Sequence, residues 1–266
     1  LALIADFHRS GTRSRAVGLH QLGIYLGQIA GGFGGFIAES PHLGWRSAFS
    51  TCGVIGMVYS VPLMVFLKEP PARQELLEPS SETPRGSEES SLLSNPSFLL
   101  LVLYFTLPAI AGWVVRDWMP SILKDQFHVG EGVAGFWATI PAQVVSIFSA
   151  VLGGWLADSW MRKTQRGRIY VSAIGMLCVV AGIFGIGVSR WLPVSVGFLM
   201  LYGLGWGFFD GNNMPILSQI VPPRLRATGY GIMNFVSISI GGVADWQYGK
   251  LRDQNYPLST LFGGFA

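Results

Sequence analysis

Charged residues are scarce in this sequence: Asp, Glu, Lys and Arg make up 12% of its 266 residues. An ordinary soluble domain carries about 25%, so a water-soluble globular protein is a poor fit. Cysteine is nearly absent. The two present, Cys52 and Cys178, both sit inside apolar runs, which leaves no disulfide framework and no thiolate metal spacing. The formal net charge is only +3, too small to attract nucleic acid through a basic surface. The chain also lacks a phosphate-binding P-loop, an HExxH pair and a G-x-S-x-G elbow. An ATP-driven pump within this stretch and the common hydrolase sites are thereby excluded, and no cofactor is implied.

What the chain has in abundance is apolar length and glycine. Half of the residues are hydrophobic, and 35 are glycine without any Gly-X-Y period. Small residues let membrane helices approach closely, and nine Trp, mostly near the ends of the apolar runs, fit an interfacial aromatic belt. A bilayer core about 30 Å thick needs roughly 20 apolar residues in a helix. Seven segments meet that length: about 16–38, 47–67, 98–118, 131–157, 169–188, 193–219 and 228–248. The fold class expected is all-α, a polytopic membrane bundle with about seven complete spans. Leu1–Ala5 reads as the tail of a further apolar helix and Leu261–Ala266 as the start of another. A piece of a longer protein is the expectation.

Orientation follows from the basic residues in alternate loops. One side collects Arg9, Arg13, Arg15, Lys68, Arg73, Arg85, Arg162, Lys163, Arg166, Arg168, Arg224 and Arg226. The other has Arg46, Arg116, Lys124, Arg190, Lys250 and Arg252. The richer side is assigned to the cytoplasm. The Glu-, Ser- and Pro-rich stretch 69–96 then forms a cytoplasmic linker with no core of its own.

An internal repeat sets the architecture. Arg13-Ser14-Arg15-Ala16-Val17-Gly18 and Arg224-Leu225-Arg226-Ala227-Thr228-Gly229 share the pattern R-x-R-A-x-G, separated by six predicted spans. Two six-helix halves in parallel repeat explain both, one half rocking against the other. Here the chain resembles the major facilitator superfamily over essentially its full length. The loop R-x-R-A-x-G is similar to that family's connections between helices 4 and 5 and helices 10 and 11. Gly154-Trp155-Leu156-Ala157-Asp158-Ser159-Trp160-Met161-Arg162-Lys163 resembles its cytoplasmic G-x-L-A-D-R-x-G-R-R motif, with Ser159 and Met161 departing from it. The resemblance implies helices 5 to 11, with 1 to 4 and 12 outside this sequence. Residues 1–68 would close the first half, 69–96 link the halves, and 97–266 begin the second. Asp210-Gly211-Asn212-Asn213-Met214-Pro215 and Arg116-Asp117 resemble the organic-anion and sugar-acid permeases, with spinster-like lipid carriers as a second neighbour.

Polar groups within the spans are the candidate chemistry, because an ionisable residue in hydrocarbon is expensive and marks function by default. Asp210 is the clearest, and Trp206, Asp210 and Asn213 share one helical face. Gln21, Tyr25 and Gln28 form a second stripe, Thr139, Gln143 and Ser146 a third, and Tyr230, Asn234 and Ser237 a fourth. These either line a substrate path or merely join helices by hydrogen bonds. Arg116 offers a planar fork for a carboxylate or phosphate, or else snorkels to the interface. His20 titrates near neutrality and is a candidate relay. Asp158 with Arg162, Lys163 and Arg166, together with Arg13, Arg15, Arg224 and Arg226, forms a candidate cytoplasmic gate.

The reading is a monomeric, multi-pass carrier of the bacterial inner membrane that moves a small organic anion with H⁺ by alternating access. A lipid or lysolipid carrier, and a receptor that binds without translocating, are the alternatives left open. The bilayer is its other partner; nucleic acid is not.

Overall fold

The computed structural model describes residues 10–66, 92–222, 225–257 and 260–261, with the backbone alone for 10–19 and for Gln21. Every described element is helical: α1 Ser10–Gly32, α2 Gly34–Glu39, α3 Gly44–Phe66, α4 Pro96–Phe127, α5 Glu131–Met161, α6 Gly167–Val188, α7 Leu192–Ile220 and α8 Arg226–Asp253. Helices close all backbone hydrogen bonds within one segment, which is what a bilayer interior demands. Five of them, α3 to α7, are long and apolar enough to span a membrane. The sequence reading counted seven. α1 and α8 fall short because their polar stripes and terminal charges dilute the apolar content, although their lengths of 23 and 28 residues suffice.

Two boundaries differ from expectation. The first predicted span, 16–38, is broken at Phe33 into α1 and α2. Residues 31–35 read Gly-Gly-Phe-Gly-Gly, the weakest helix formers short of proline. The fourth helix runs to Phe127 instead of ending near 118 and tolerates Pro108 and Pro120 inside it. It starts crisply: Asn95 accepts a hydrogen bond from the Ser97 amide at 2.9 Å, and Pro96 occupies the first turn. His128, in the left-handed region at φ 52°, stops it.

α7 is the helix on which its neighbours converge. α5 and α6 both pack along it, α8 packs on α4, and α1 and α2 lie on α5. At two of its glycines the contact with α7 reaches main chain. A Cβ on Gly203 would strike Ala142 of α5, and one on Gly205 would strike Gly175 and Val179 of α6. Between α4, α6 and α7 lies an apolar core that includes Val114, Met119, Ile122, Leu123, Ile183 and Leu199. A second core joins Phe98 and Leu101 to Ile216, Leu217 and Met233 near the opposite end. The outward surfaces are apolar too: Phe148, Leu177 and Phe235 are more than 70% exposed. Such a surface suits lipid tails and not water.

Because α7 meets its neighbours through main chain, enlarging its glycines forces the helices apart. Gly203→Leu and Gly205→Leu should each cost about 1–3 kcal/mol. A lowered thermal midpoint of the complete protein in detergent is the check; Gly197→Leu, whose Cβ would meet open space, should leave it unchanged.

Candidate functional site

The polar stripes read from sequence converge on α7. Tyr25 of α1 is 5% exposed, and its hydroxyl donates to Asp210 Oδ2 of α7 at 2.9 Å. These residues lie 185 positions apart, and this bond joins the first described helix to α7. One turn before Asp210, Trp206 lies half-buried against Gly112 of α4 and stacks on Tyr202, ring centroids 5.9 Å apart. One turn after it, Asn213 is 3% exposed, and its side-chain oxygen finds no hydrogen-bond partner among the described residues. Gln143 of α5 likewise has its buried side-chain oxygen unpaired among the described residues. Unpaired buried carbonyl oxygens are costly, and they suit a site that receives a donor from a ligand or water.

Two other stripe members, Ser146 and Asn234, are tied to main chain. Ser146 donates to the Gly203 carbonyl at 2.8 Å, and Ser149 to the same oxygen at 3.3 Å. Asn234 donates to the Tyr230 carbonyl of its own helix at 3.0 Å. His20 is exposed on α1. The Gln21 side chain lies outside the described residues.

Arg116 is exposed in the C-terminal third of α4, its guanidinium 5.2 Å from the centre of the Trp113 ring. It stands one turn above Gly112 on the same face, within electrostatic reach of Tyr202. The arrangement is a fixed cation above an aromatic wall. That wall continues downward through Phe209, which packs against Tyr104 at 5.3 Å and Phe105 at 6.1 Å. The sequence reading passed over Tyr202, Phe209, Tyr104 and Phe105. Helical spacing from Trp206 would have found the first two, but the partners on α4 need the tertiary pairing. It also passed over Asp245 of α8, which lies beside Asp117 of α4 at the outer end.

At the C-terminal end of α5 Asp158 pairs with Arg168 at 2.9 Å. Arg168 stands in the first turn of α6, so this pair joins α5 to α6. Arg162, Lys163 and Arg166 are exposed beside it. Arg226 does something else: its guanidinium donates to the carbonyls of Ser218 at 2.9 Å and Val221 at 3.3 Å. It thereby caps the C-terminal end of α7, where orphan carbonyls and the helix dipole both favour a cation. The side chains of Arg13 and Arg15, and all of Arg224, lie outside the described residues.

With this geometry in place, comparison with known proteins becomes informative. The family description Major Facilitator Superfamily matches residues 1–244. An MFS-type efflux pump of Mycolicibacterium smegmatis is 23% identical over 222 residues, covering 83% of this chain and 50% of the pump. The hexuronate transporter of Bacillus subtilis is 23% identical over 272 residues, covering 96% of this chain and 63% of the transporter. Among solved structures, a bacterial homologue of the human lysosomal transporter Spinster, inward-facing and unoccupied, superposes with a TM-score of 0.71 at 17% identity. The match covers 98% of this chain and 64% of that one. The chain thus spans about half the length of the first curated relatives it matches.

The different contacts of Arg226, Arg168 and Arg162 should separate on mutation. Arg226→Gln, which removes two charge-assisted bonds from the end of α7, should lower stability by about 1.5–3 kcal/mol. Arg168→Ala should cost at most about 1 kcal/mol, as exposed ion pairs do. Arg162→Ala should change it by less than about 0.5 kcal/mol. Thermal midpoints of the three variants in one detergent give the ranking.

Proposed function

This chain belongs to the Major Facilitator Superfamily and forms part of a multi-pass membrane protein, and from that premise we propose that the whole protein is a proton-coupled carrier of small organic anions. The observation that carries the proposal is the Tyr25–Asp210 hydrogen bond. A carboxyl group inside a membrane bundle is tolerable when neutral or when paired, and a phenol that donates to it holds the charged form. In this proposal Asp210 alternates between a charged form held by Tyr25 and a protonated form that no longer needs that donor. Because Tyr25 sits on α1 and Asp210 on α7, changing between these states makes or breaks a bond across the two halves. Proton uptake and the rocking of the halves then become one event, with residues 1–68 and 97–266 in opposite halves and 69–96 linking them.

Substrate would lie between Trp206, Asn213 and Gln143, with Arg116 above. The aromatic rings offer flat apolar surface, the two amide oxygens accept from hydroxyl groups, and the guanidinium takes a carboxylate. A hydroxylated carboxylic acid satisfies all three, and the hexuronate transporter among the relatives agrees with that chemistry. Arg226 and the Asp158–Arg168 pair stabilise helix ends in this scheme, and the bacterial inner membrane is the proposed location.

Two experiments on the complete protein in vesicles test the proposal. Under an imposed pH gradient, adding pools of organic acids should drive proton movement, and sugars or lysolipids should not. Asp210→Asn should abolish that movement while leaving substrate exchange intact, and Tyr25→Phe should slow it about fivefold, the worth of one hydrogen bond. Proton movement that survives Asp210→Asn would remove the carboxyl from coupling. In the second experiment Arg116→Ala should raise the apparent KM for the acid about tenfold, a loss of about 1.4 kcal/mol. An unchanged KM would remove Arg116 from substrate contact.

A further inference from the structure

The N-terminus of α5 is capped from the other side of the molecule. Its N-cap residue, Gly130, has no side chain, and the first amides of the helix would otherwise be orphans. Glu39, the last residue of α2, fills that place. Its Oε1 accepts from the Glu131 amide and its Oε2 from the Gly132 amide at 3.1 Å. A Cβ on Gly130 would collide with Glu39 Oε1, so glycine there keeps the cap position open. The carboxylate also meets the positive end of the α5 dipole. Lys124, at the end of α4, pairs with Glu131 and lies within electrostatic reach of Glu39.

Beneath this cap the two helices are sealed. Phe36 covers Gly132, Gly35 abuts the Glu131 backbone, and a Cβ on Gly32 would stand 3.1 Å from Thr139. The Phe33 ring meets Phe136 edge-on with centroids 5.7 Å apart. Seven residues below Gly32, about 10 Å along the helix, comes Tyr25 with its bond to Asp210.

We propose that Glu39 is the latch of the outer gate: its carboxylate holds the N-terminus of α5 only while the outer mouth is shut. This rests on the alternating-access reading above. For the outer mouth to open, α1 and α2 must leave α5, and both amides then lose their acceptor to water. A contact present in one state and absent in the other biases the equilibrium by its own strength. Glu39 therefore favours the outer-closed state, and it acts through a helix terminus, not through substrate or proton. Lys124 steadies it by offsetting the charge of Glu131 beside it.

The test reads the gate without substrate or pH gradient, so it stands whether or not Asp210 couples protons. Gln28→Cys places a thiol on α1 between Tyr25 and the seal, in the complete protein with all of its native cysteines, Cys52 and Cys178 among them, replaced by Ser. A membrane-impermeant maleimide is applied from the outer face and, in inverted vesicles, from the inner face. Glu39→Gln should raise outer-face labelling about tenfold and lower inner-face labelling, and Glu39→Asp should fall between. Gly35→Ala, which wedges the same seal, should act in the same direction as Glu39→Gln. Labelling unchanged by Glu39→Gln, or raised equally from both faces, would overturn the proposal. Thr139→Cys on the facing helix repeats the measurement if Gln28→Cys does not fold.

Discussion

Inside a bilayer no water is at hand to pair a polar atom, so each one must be answered by the protein or by what the protein carries. The described bundle sorts its polar groups by this constraint. Ser146 and Ser149 share the Gly203 carbonyl, Ser218 donates to Met214, and Asn234 returns to its own helix. These groups knit the bundle. Gln143 on α5 and Asn213, one turn after Asp210 on α7, are among the described residues that keep an unanswered buried oxygen. Where satisfaction stops, the substrate path is proposed to begin.

Much of the fold was readable because a membrane span is written in composition and length. The apolar runs placed the third to seventh helices within a few residues, apart from the extension of α4 to Phe127. The parallel repeat of R-x-R-A-x-G pointed to the family without any structure. The same signal was weaker for α1 and α8, where Gln, Tyr, Asn and Ser dilute the apolar runs. For the site, spacing along one helix put Trp206, Asp210 and Asn213 on a common face. It could not say that Tyr25 would be the partner, since a bond over 185 residues depends on how the halves dock.

The end-caps were illegible for a different reason. Arg226 reads as a basic loop residue, and only the folded chain shows its guanidinium lying on the last carbonyls of α7. Glu39 reads as a solitary acid before Ser40-Pro41, yet it serves a helix that begins 92 residues later. Local rules look for a cap beside its helix. Here the cap is borrowed across the molecule, and that borrowing couples two segments that a sequence pattern treats as independent.

The main-chain contacts of α7 carry a last consequence, for how such a bundle can drift in evolution. Where two side chains touch, a larger residue on one helix can be accommodated by a smaller one on the other. Gly203 faces Ala142 and Gly205 faces Gly175 with backbone on at least one side, and backbone cannot be shortened. Second-site suppressors of changes at these positions therefore cannot arise at the contact itself. They must come from distant gains in stability, so this ridge is fixed in a way the aromatic wall above Asp210 is not.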